Sequence, residues 1–189
     1  YPASRVVGHH HPARHILIAT GSVPRDLPFA PADGERVLNS DHILELERVP
    51  KSLVVLGAGA VGCEFASVYA SFGSEVTLVE MLPRLLPIED DEVSKELARA
   101  SRKRDIKSLT STKLSSVESV DGGVRLELET EGKDPETLEA EMLLVAVGRA
   151  PVTESLGLEE VGVELDRGYV RVDEYMQTAA PSIYAIGDV

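Results

Sequence analysis

The stretch LVVLGAGAVGCEFASVYASFGSEVTLVE, residues 53–80, decides the fold. An unbroken apolar run leads into Gly57-Ala58-Gly59-Ala60-Val61-Gly62, which fits the spacing G-x-G-x-x-G. Behind it Val61, Phe65, Val68, Tyr69 and Phe72 recur at helical spacing until Gly73, and SEVTLVE closes on the acid Glu80. Strand, glycine turn, helix, strand and acid in this order predict a βαβ unit that binds a dinucleotide. Gly57 permits the tight turn, Gly59 leaves room for a pyrophosphate against the backbone, and Gly62 lets the helix pack closely on the strand. Glu80 is placed to accept hydrogen bonds from a ribose diol. A carboxylate there would repel the 2′-phosphate of NADP, so the reading favours NAD; Arg84 is the nearby cation that would soften the preference.

Two residues inside the motif carry a question each. Glu64 reads either as a first-turn acid that compensates the helix dipole, worth about 0.3–1 kcal/mol, or as a side chain turned aside toward the nicotinamide. Cys63 reads as a small packed residue, since no His or Asn constellation accompanies it as it would a nucleophile.

Outward from this unit, HILIATGS (15–22), LLVAVGRAP (143–151) and IYAIGDV (183–189) repeat the design of an apolar run ending in a glycine turn. Such runs suit strands covered on both faces, as in a parallel sheet with helices above and below. Ligands of open α/β sheets bind at the carboxyl ends of the strands, where these glycines lie. The spacing predicts a connector over 27–37 and a short helix over 40–50, capped by Ser40 or Asp41 and closed by Pro50. MLPRLLP (81–87) reads as a loop, and EDDEVSKELARASRKR (89–104) as a helix with Val93, Leu97 and Ala100 on one face. Alternation of Val124, Leu126 and Leu128 with Arg125, Glu127 and Glu129 around Asp121-Gly122-Gly123 predicts a half-exposed hairpin, and EGKDPET turns the chain into LEAEMLLVAVG.

Composition narrows the function. The 189 residues carry 19 Lys and Arg against 32 Asp and Glu, a formal charge of -13, which disfavours nucleic acid or an anionic membrane as partner. A small anionic nucleotide is still compatible, because backbone amides at a helix terminus hold it locally. No stretch has the length of apolar sequence a membrane span needs, the start lacks a signal-peptide core, and the protein is expected to be soluble and cytoplasmic. One cysteine permits neither an intramolecular disulfide nor a cysteine-based zinc site, and no metal is expected. His9, His10 and His11 read as a solvated turn before Pro12. A short-chain dehydrogenase would need Tyr-x-x-x-Lys, and Tyr69, Tyr169, Tyr175 and Tyr184 each lack the lysine.

GAGAVGCEFASVYASFGSEVTLVEMLPRLLP, HILIATGS, VAVGRAPVTESLGLEEVGVELDRGYVRVDEYMQT and IYAIGDV together resemble the flavin-dependent pyridine nucleotide-disulfide oxidoreductases, most closely their dihydrolipoamide dehydrogenase branch. The resemblance runs from about Arg14 onward, with four motifs in order. It implies a Rossmann-like NAD-binding domain over 25–147, preceded by the end of an FAD-domain segment (1–24) and followed by the start of its return (148–189). It places Thr20 and Gly21 near the adenosine side of FAD, Asp188 on the ribityl chain, Gly57, Gly59, Gly62 and Glu80 on NAD, Glu64 beside the nicotinamide, and Gly148 in the NAD cleft. The intervening Ala58, Ala60 and Val61 belong to the same nucleotide turn.

The departures matter as much. The family's first glycine motif, its C-x4-C redox pair and its C-terminal domain with a His-Glu pair are not found here, and His15 and His42 lie in the wrong part of the chain to serve as the base. Asp105 and Ser111 stand where the family often has glycine, which bears on turn geometry. The resemblance implies the central portion of a homodimeric flavoenzyme of a 2-oxoacid dehydrogenase complex, whose parent reaction converts dihydrolipoamide and NAD to lipoamide and NADH. By itself the chain is expected to bind NAD weakly, to retain little FAD and to turn over no lipoamide. A sibling reductase (NADH oxidase, mercuric reductase or coenzyme A disulfide reductase) and a non-catalytic NAD-binding module are the alternatives.

Overall fold

A run such as Leu53–Leu56 places apolar side chains on both faces of a strand, so it is stable only where both faces are covered. The computed structural model describes residues 13–189, and the histidine run 9–11 lies outside them. In chain order its first strands are β1 (Ile16–Ile18), β2 (Ser22–Pro24), β3 (Val37–Leu38), β4 (Ser52–Leu56) and β5 (Glu75–Val79), with helix α1 (Ala60–Ser71) between the last two. Helix α2 (Asp91–Lys103) precedes β6 (Lys107–Leu109), β7 (Thr112–Val120), β8 (Gly123–Thr130), β9 (Glu136–Ala140) and β10 (Met142–Val145). Four short strands follow: β11 (Arg149–Pro151), β12 (Leu165–Asp166), β13 (Tyr169–Val170) and β14 (Ile183–Ala185). The chain divides into a unit Pro24–Arg149 and a second unit made of residues up to Val23 with Ala150–Val189. Strands β2 and β11 pair with each other.

In Pro24–Arg149 the five strands of one sheet run in the order β3-β10-β4-β5-β6, all parallel. The period of two sorts their side chains into separate cores. Leu53, Val55, Val76, Leu78, Met142 and Leu144 point to the side packed by Ala66 and Tyr69 of α1 and Leu97 of α2. Val54, Leu56, Val79, Leu143 and Val145 point to the other side, where they meet Leu114, Val124, Leu126 and Leu128. That second cover is an antiparallel sheet, β7-β8-β9, and not the helices expected above and below. The predicted hairpin is its first half, turning at Asp121-Gly122 with Gly123 already in β8. Strand β9 ends at Ala140 and β10 begins at Met142, so the segment LEAEMLLVAVG serves two sheets and is not one strand.

Several local expectations are corrected. The segment 40–50 forms only a 3-10 turn, His42–Glu45, and its first amides, Asp41 and His42, are capped by Asn39 Oδ1 at 3.0 Å rather than by Ser40 or Asp41. Helix α1 buries Gly62, Ala66 and Tyr69 and leaves Val61, Val68 and Phe72 exposed, because small residues let it lie closer to the sheet. Helix α2 buries Ser94 and Ser101, with Leu97 and Ala98 half-buried beside them, while Val93 and Ala100 face outward. Its Asp90 cap accepts from Glu92 N–H at 2.8 Å.

Both helices end in the same way. Gly73 sits at φ 95° with Ser74 N–H donating to Tyr69 O at 3.0 Å, and Asp105 sits at φ 56° with Ile106 N–H donating to Ser101 O at 3.0 Å. This is the six-to-one bond of a left-handed helix stop, normally made by glycine. Asp105, and likewise Ser111 at φ 50°, keep the turn that glycine would make. The substitutions therefore leave the geometry intact and add strain at a residue with a Cβ.

The other unit is thinner. Strands β1 and β14 pair in parallel with Ile18 opposite Ala185, and β12 pairs antiparallel with β13. Ile18, Leu158, Val163, Ile183 and Ala185 form its core. Ile16 and Leu17 are more than half exposed, so the expectation that this apolar run is covered on both faces does not hold.

If the left-handed stop at Asp105 is strained, Asp105→Gly stabilises the Pro24–Arg149 unit by about 0.5–1 kcal/mol. Thermal or urea unfolding checks it, and an unchanged or lowered midpoint refutes the strain.

Candidate functional site

Parallel register brings the carboxyl ends of β4, β5 and β10 to one edge, and each continues into a segment the sequence had singled out. Gly57 N–H donates to Val79 O at 2.8 Å and Ala146 N–H to Leu56 O at 2.8 Å, so the ladders persist to the strand ends. Gly57 then turns at φ 99°, and a Cβ there would lie 2.5 Å from Ala146 O. A Cβ on Gly62 would lie 1.9 Å from Gly57 O, which no relaxation of a side chain could absorb. At Gly59, the residue before α1, a Cβ would meet nothing within 4 Å. Two glycines are thus demanded by the protein itself, and the third borders open space.

That space is a cleft of about 670 Å³ within the Pro24–Arg149 unit. Gly57, Gly59, Ala60 and Val61 line it from the turn, Glu80 from the end of β5, and Gly148 from the segment after β10. Ala58 is fully buried and Gly62 packs inward, so these two shape the turn without lining the cleft. The first N–H groups of α1 have no intrahelical acceptor, as at any helix start.

Glu80 is 8 % exposed. Its Oε2 accepts from Ala58 N–H at 2.7 Å and its Oε1 from Leu82 N–H at 2.8 Å. Arg84, the cation close to Glu80 in sequence, is committed to its own loop: it donates to Pro87 O at 2.9 Å and Glu89 O at 3.0 Å and pairs with Asp91. Glu64 is an exposed residue beyond the first turn of α1, which holds no acid, so the dipole reading of it is corrected; it does not line the cleft either. Cys63 donates its thiol to Ala58 O at 3.3 Å. Burial first, then the charges of Glu80 and Glu64, push that thiol up to about 11 against a hydrogen bond from the Leu86 backbone that lowers it. It is neutral and inert at ordinary pH.

The cleft also uses residues that no motif marked. Thr112, Lys113 and Leu114 enter it from β7, Met81, Leu82 and Ile88 from the loop after β5, and Phe29 from the connector. Thr112 reaches the site because its N–H donates to Glu80 O at 2.9 Å, a contact between residues 32 apart that sequence spacing could not announce. The cleft's two basic residues are Lys113 and Arg149; Arg149 donates to Ser40 Oγ at 3.2 Å.

In the other unit, the parallel pair β1-β14 sends two turns off side by side. Thr20 Oγ1 donates to Val152 O at 2.6 Å, and the hydroxyl of Ser22, next to Gly21, donates to the Asp188 carboxylate. Gly21 (φ 72°) and Gly187 (φ 82°) border open space. Thr20, Gly21 and Asp188 are thereby gathered into one polar turn cluster. Among the described residues no group of three or more His, Cys, Asp or Glu could hold a metal, and no helix is long and apolar enough to cross a membrane.

The family model described as pyridine nucleotide-disulphide oxidoreductase matches residues 3–189. The dihydrolipoyl dehydrogenase of Chlorobaculum tepidum is 48 % identical over 177 residues, covering 94 % of this chain and 38 % of its own length. The crystal structure of LpdA from Mycobacterium tuberculosis superposes with a TM-score of 0.85 at 37 % identity over 94 % of this chain and 38 % of that one. The HOCl-induced flavoprotein disulfide reductase RclA of Escherichia coli, solved as a Cu(II) complex, follows with a TM-score of 0.80 at 31 % identity, over 93 % and 39 %. The chain thus spans under two fifths of the length of the proteins it resembles.

The two kinds of glycine separate experimentally. Gly62→Ala is expected to destabilise by more than about 2 kcal/mol, whereas Gly59→Ala leaves the melting curve in place and lowers nucleotide affinity. Equal loss of stability in both would refute the assignment. Cys63 is expected to resist iodoacetamide at pH 8 in the folded protein and to react on unfolding. Because its folded value is raised, its contribution to stability is complete below pH 9.0 and is lost as pH rises through about 11.

Proposed function

The chain belongs to the pyridine nucleotide-disulphide oxidoreductase family, and on that premise we propose that its Pro24–Arg149 unit binds NAD(H), the electron acceptor of a flavoenzyme that oxidises dihydrolipoamide to lipoamide. The observation that carries the reading is the glycine turn: Gly57 and Gly62 exclude any Cβ, while Gly59 leaves the approach to the start of α1 open. A pyrophosphate fits there, held by the amides of Ala60, Val61 and their neighbours and by the positive end of the helix. Glu80 takes the ribose diol, since each carboxylate oxygen keeps a lone pair beyond the amide bond it already accepts. With Arg84 tied to Pro87, Glu89 and Asp91, no arginine from this loop is left to offset the repulsion of a 2′-phosphate, which favours NAD over NADP. Gly148 lines the same cleft.

The cluster of Thr20, Gly21 and Asp188 fits a flavin dinucleotide, with hydroxyl and carboxylate groups beside open glycine backbone. Bound there, FAD would supply the two-electron chemistry between a dithiol and the nicotinamide. This chain's residues supply binding and orientation. Cys63 supplies no redox chemistry, being single and held as a thiol. In this reading the intact protein is a homodimer that serves a 2-oxoacid dehydrogenase complex, as its resemblance to dihydrolipoyl dehydrogenases implies. The resemblance to the flavoprotein disulfide reductase RclA supports a sibling reductase as the second reading.

Fluorescence titration of the chain is expected to show NADH binding at least tenfold more tightly than NADPH, and equal or tighter NADPH binding refutes the cofactor assignment. For the reaction, the full-length protein is expected to reduce NAD with dihydrolipoamide and to leave mercuric ion and coenzyme A disulfide unreduced by NADH. The reverse pattern selects the sibling reading.

A further inference from the structure

A buried carboxylate is stable only when its oxygens are satisfied, and those of Glu80 are satisfied by the backbone of the very turn it serves. Glu80 closes β5, yet it binds Ala58 N–H at 2.7 Å, from the glycine turn, and Leu82 N–H at 2.8 Å, from the loop that walls the cleft. Ala58 is held from its other side as well: its carbonyl accepts from Leu86 N–H at 2.8 Å, in the same loop, and from the Cys63 thiol at 3.3 Å. Leu86 itself sits at φ 47°, a conformation a leucine keeps only when its surroundings impose it. Glycine turn, strand end and loop are therefore cross-linked through one carboxylate and one peptide.

Resting on the nucleotide reading of the cleft, we infer that Glu80 is a positioning residue: its carboxylate fixes the glycine turn and the 81–88 wall in their binding form before any nucleotide arrives. The Coulomb problem at the site is eased by the same bonds, because two N–H dipoles face the carboxylate charge. A nucleotide then meets a preformed turn and loses none of its binding energy to ordering it. Reading the ribose is a separate task, and it would contribute only with nucleotides that carry the diol.

The two roles give different results with ADP and 2′,3′-dideoxy-ADP as probes, titrated calorimetrically against the wild type and Glu80→Gln. A glutamine amide turns a donor toward one of the two N–H groups, so it breaks the cross-link without changing the shape. The expected result is that Glu80→Gln weakens 2′,3′-dideoxy-ADP about tenfold and ADP by at least that factor. Unchanged affinity for dideoxy-ADP beside weakened ADP overturns the inference and leaves Glu80 a ribose reader alone. Amide exchange without nucleotide supplies the second readout: in Glu80→Gln, exchange at Ala58 or Leu82 accelerates at least tenfold while Val55 and Leu78 in the strands are unaffected. A uniform acceleration or none overturns it. Should the variant not fold, the nucleotide-free wild type decides, since fast exchange at both Ala58 and Leu82 contradicts a preformed cross-link. Failure of the wild type to bind either probe would refute the nucleotide reading, while the exchange data still decide the positioning role.

Discussion

The backbone passes itself at Gly57 more closely than any side chain permits, and the rest of the site is built around that approach. The ladder bonds Gly57 N–H to Val79 O and Ala146 N–H to Leu56 O, both 2.8 Å, prevent β4, β5 and β10 from spreading at their ends. Each is worth about 1 kcal/mol net, and opening the edge would forfeit several together. A Cβ at Gly57 or Gly62 would stand 2.5 Å and 1.9 Å from carbonyl oxygens that these ladders and α1 hold in place. The absence of two side chains thus fixes where α1 begins, and the start of α1 fixes where an anion can be held.

The base under this edge is rigid because the sheet is covered twice by different means. Alternate residues of β4 and β10 enter two cores, one closed by helices and one by the antiparallel layer. Fully buried residues such as Leu53, Leu143 and Leu144 each contribute roughly 1.5–3 kcal/mol of burial. The antiparallel layer does more than cover: β7 begins at Thr112, whose N–H donates to Glu80 O, so the layer that seals one core also carries Lys113 and Leu114 into the cleft. Structure and site share the same strand.

What the sequence disclosed and what it withheld divide along the range of the interaction. The glycine turn, its strand and Glu80 lie within one unit of chain, and their order alone was enough to place them. The periodicity of α1 and α2 announced helices but not their buried faces. Gly62 and Ala66 face the sheet because close approach favours small residues, and Ser94 is buried with its hydroxyl on Leu86 O, while Val61, Val68 and Val93 look outward. The partners of the Glu80 carboxylate were hidden for another reason: a backbone N–H has no signature in a sequence. The same holds for β7, which reaches the site only through pairing. Asp105 and Ser111 looked like departures that could alter their turns, yet both hold the left-handed conformation, so here the surroundings override local preference.

On the proposed reading, a protein with a formal charge of -13 that binds an anionic nucleotide faces a conflict that only distance resolves. Exposed acids act across solvent and fade within about 10 Å at 0.1 M salt. Helix amides act at hydrogen-bond length and are not screened. The acid nearest the turn, Glu80, faces the amides of Ala58 and Leu82. Of the cleft's two cations, Arg149 bonds Ser40, while Lys113 has no ion-pair partner among the described residues. On that reading a few oriented dipoles and one lysine make the site tolerant of an anion, inside a net field unfavourable to long polyanions. Net charge would then select the class of ligand at a distance, and the turn at Gly57–Gly62 its shape on contact.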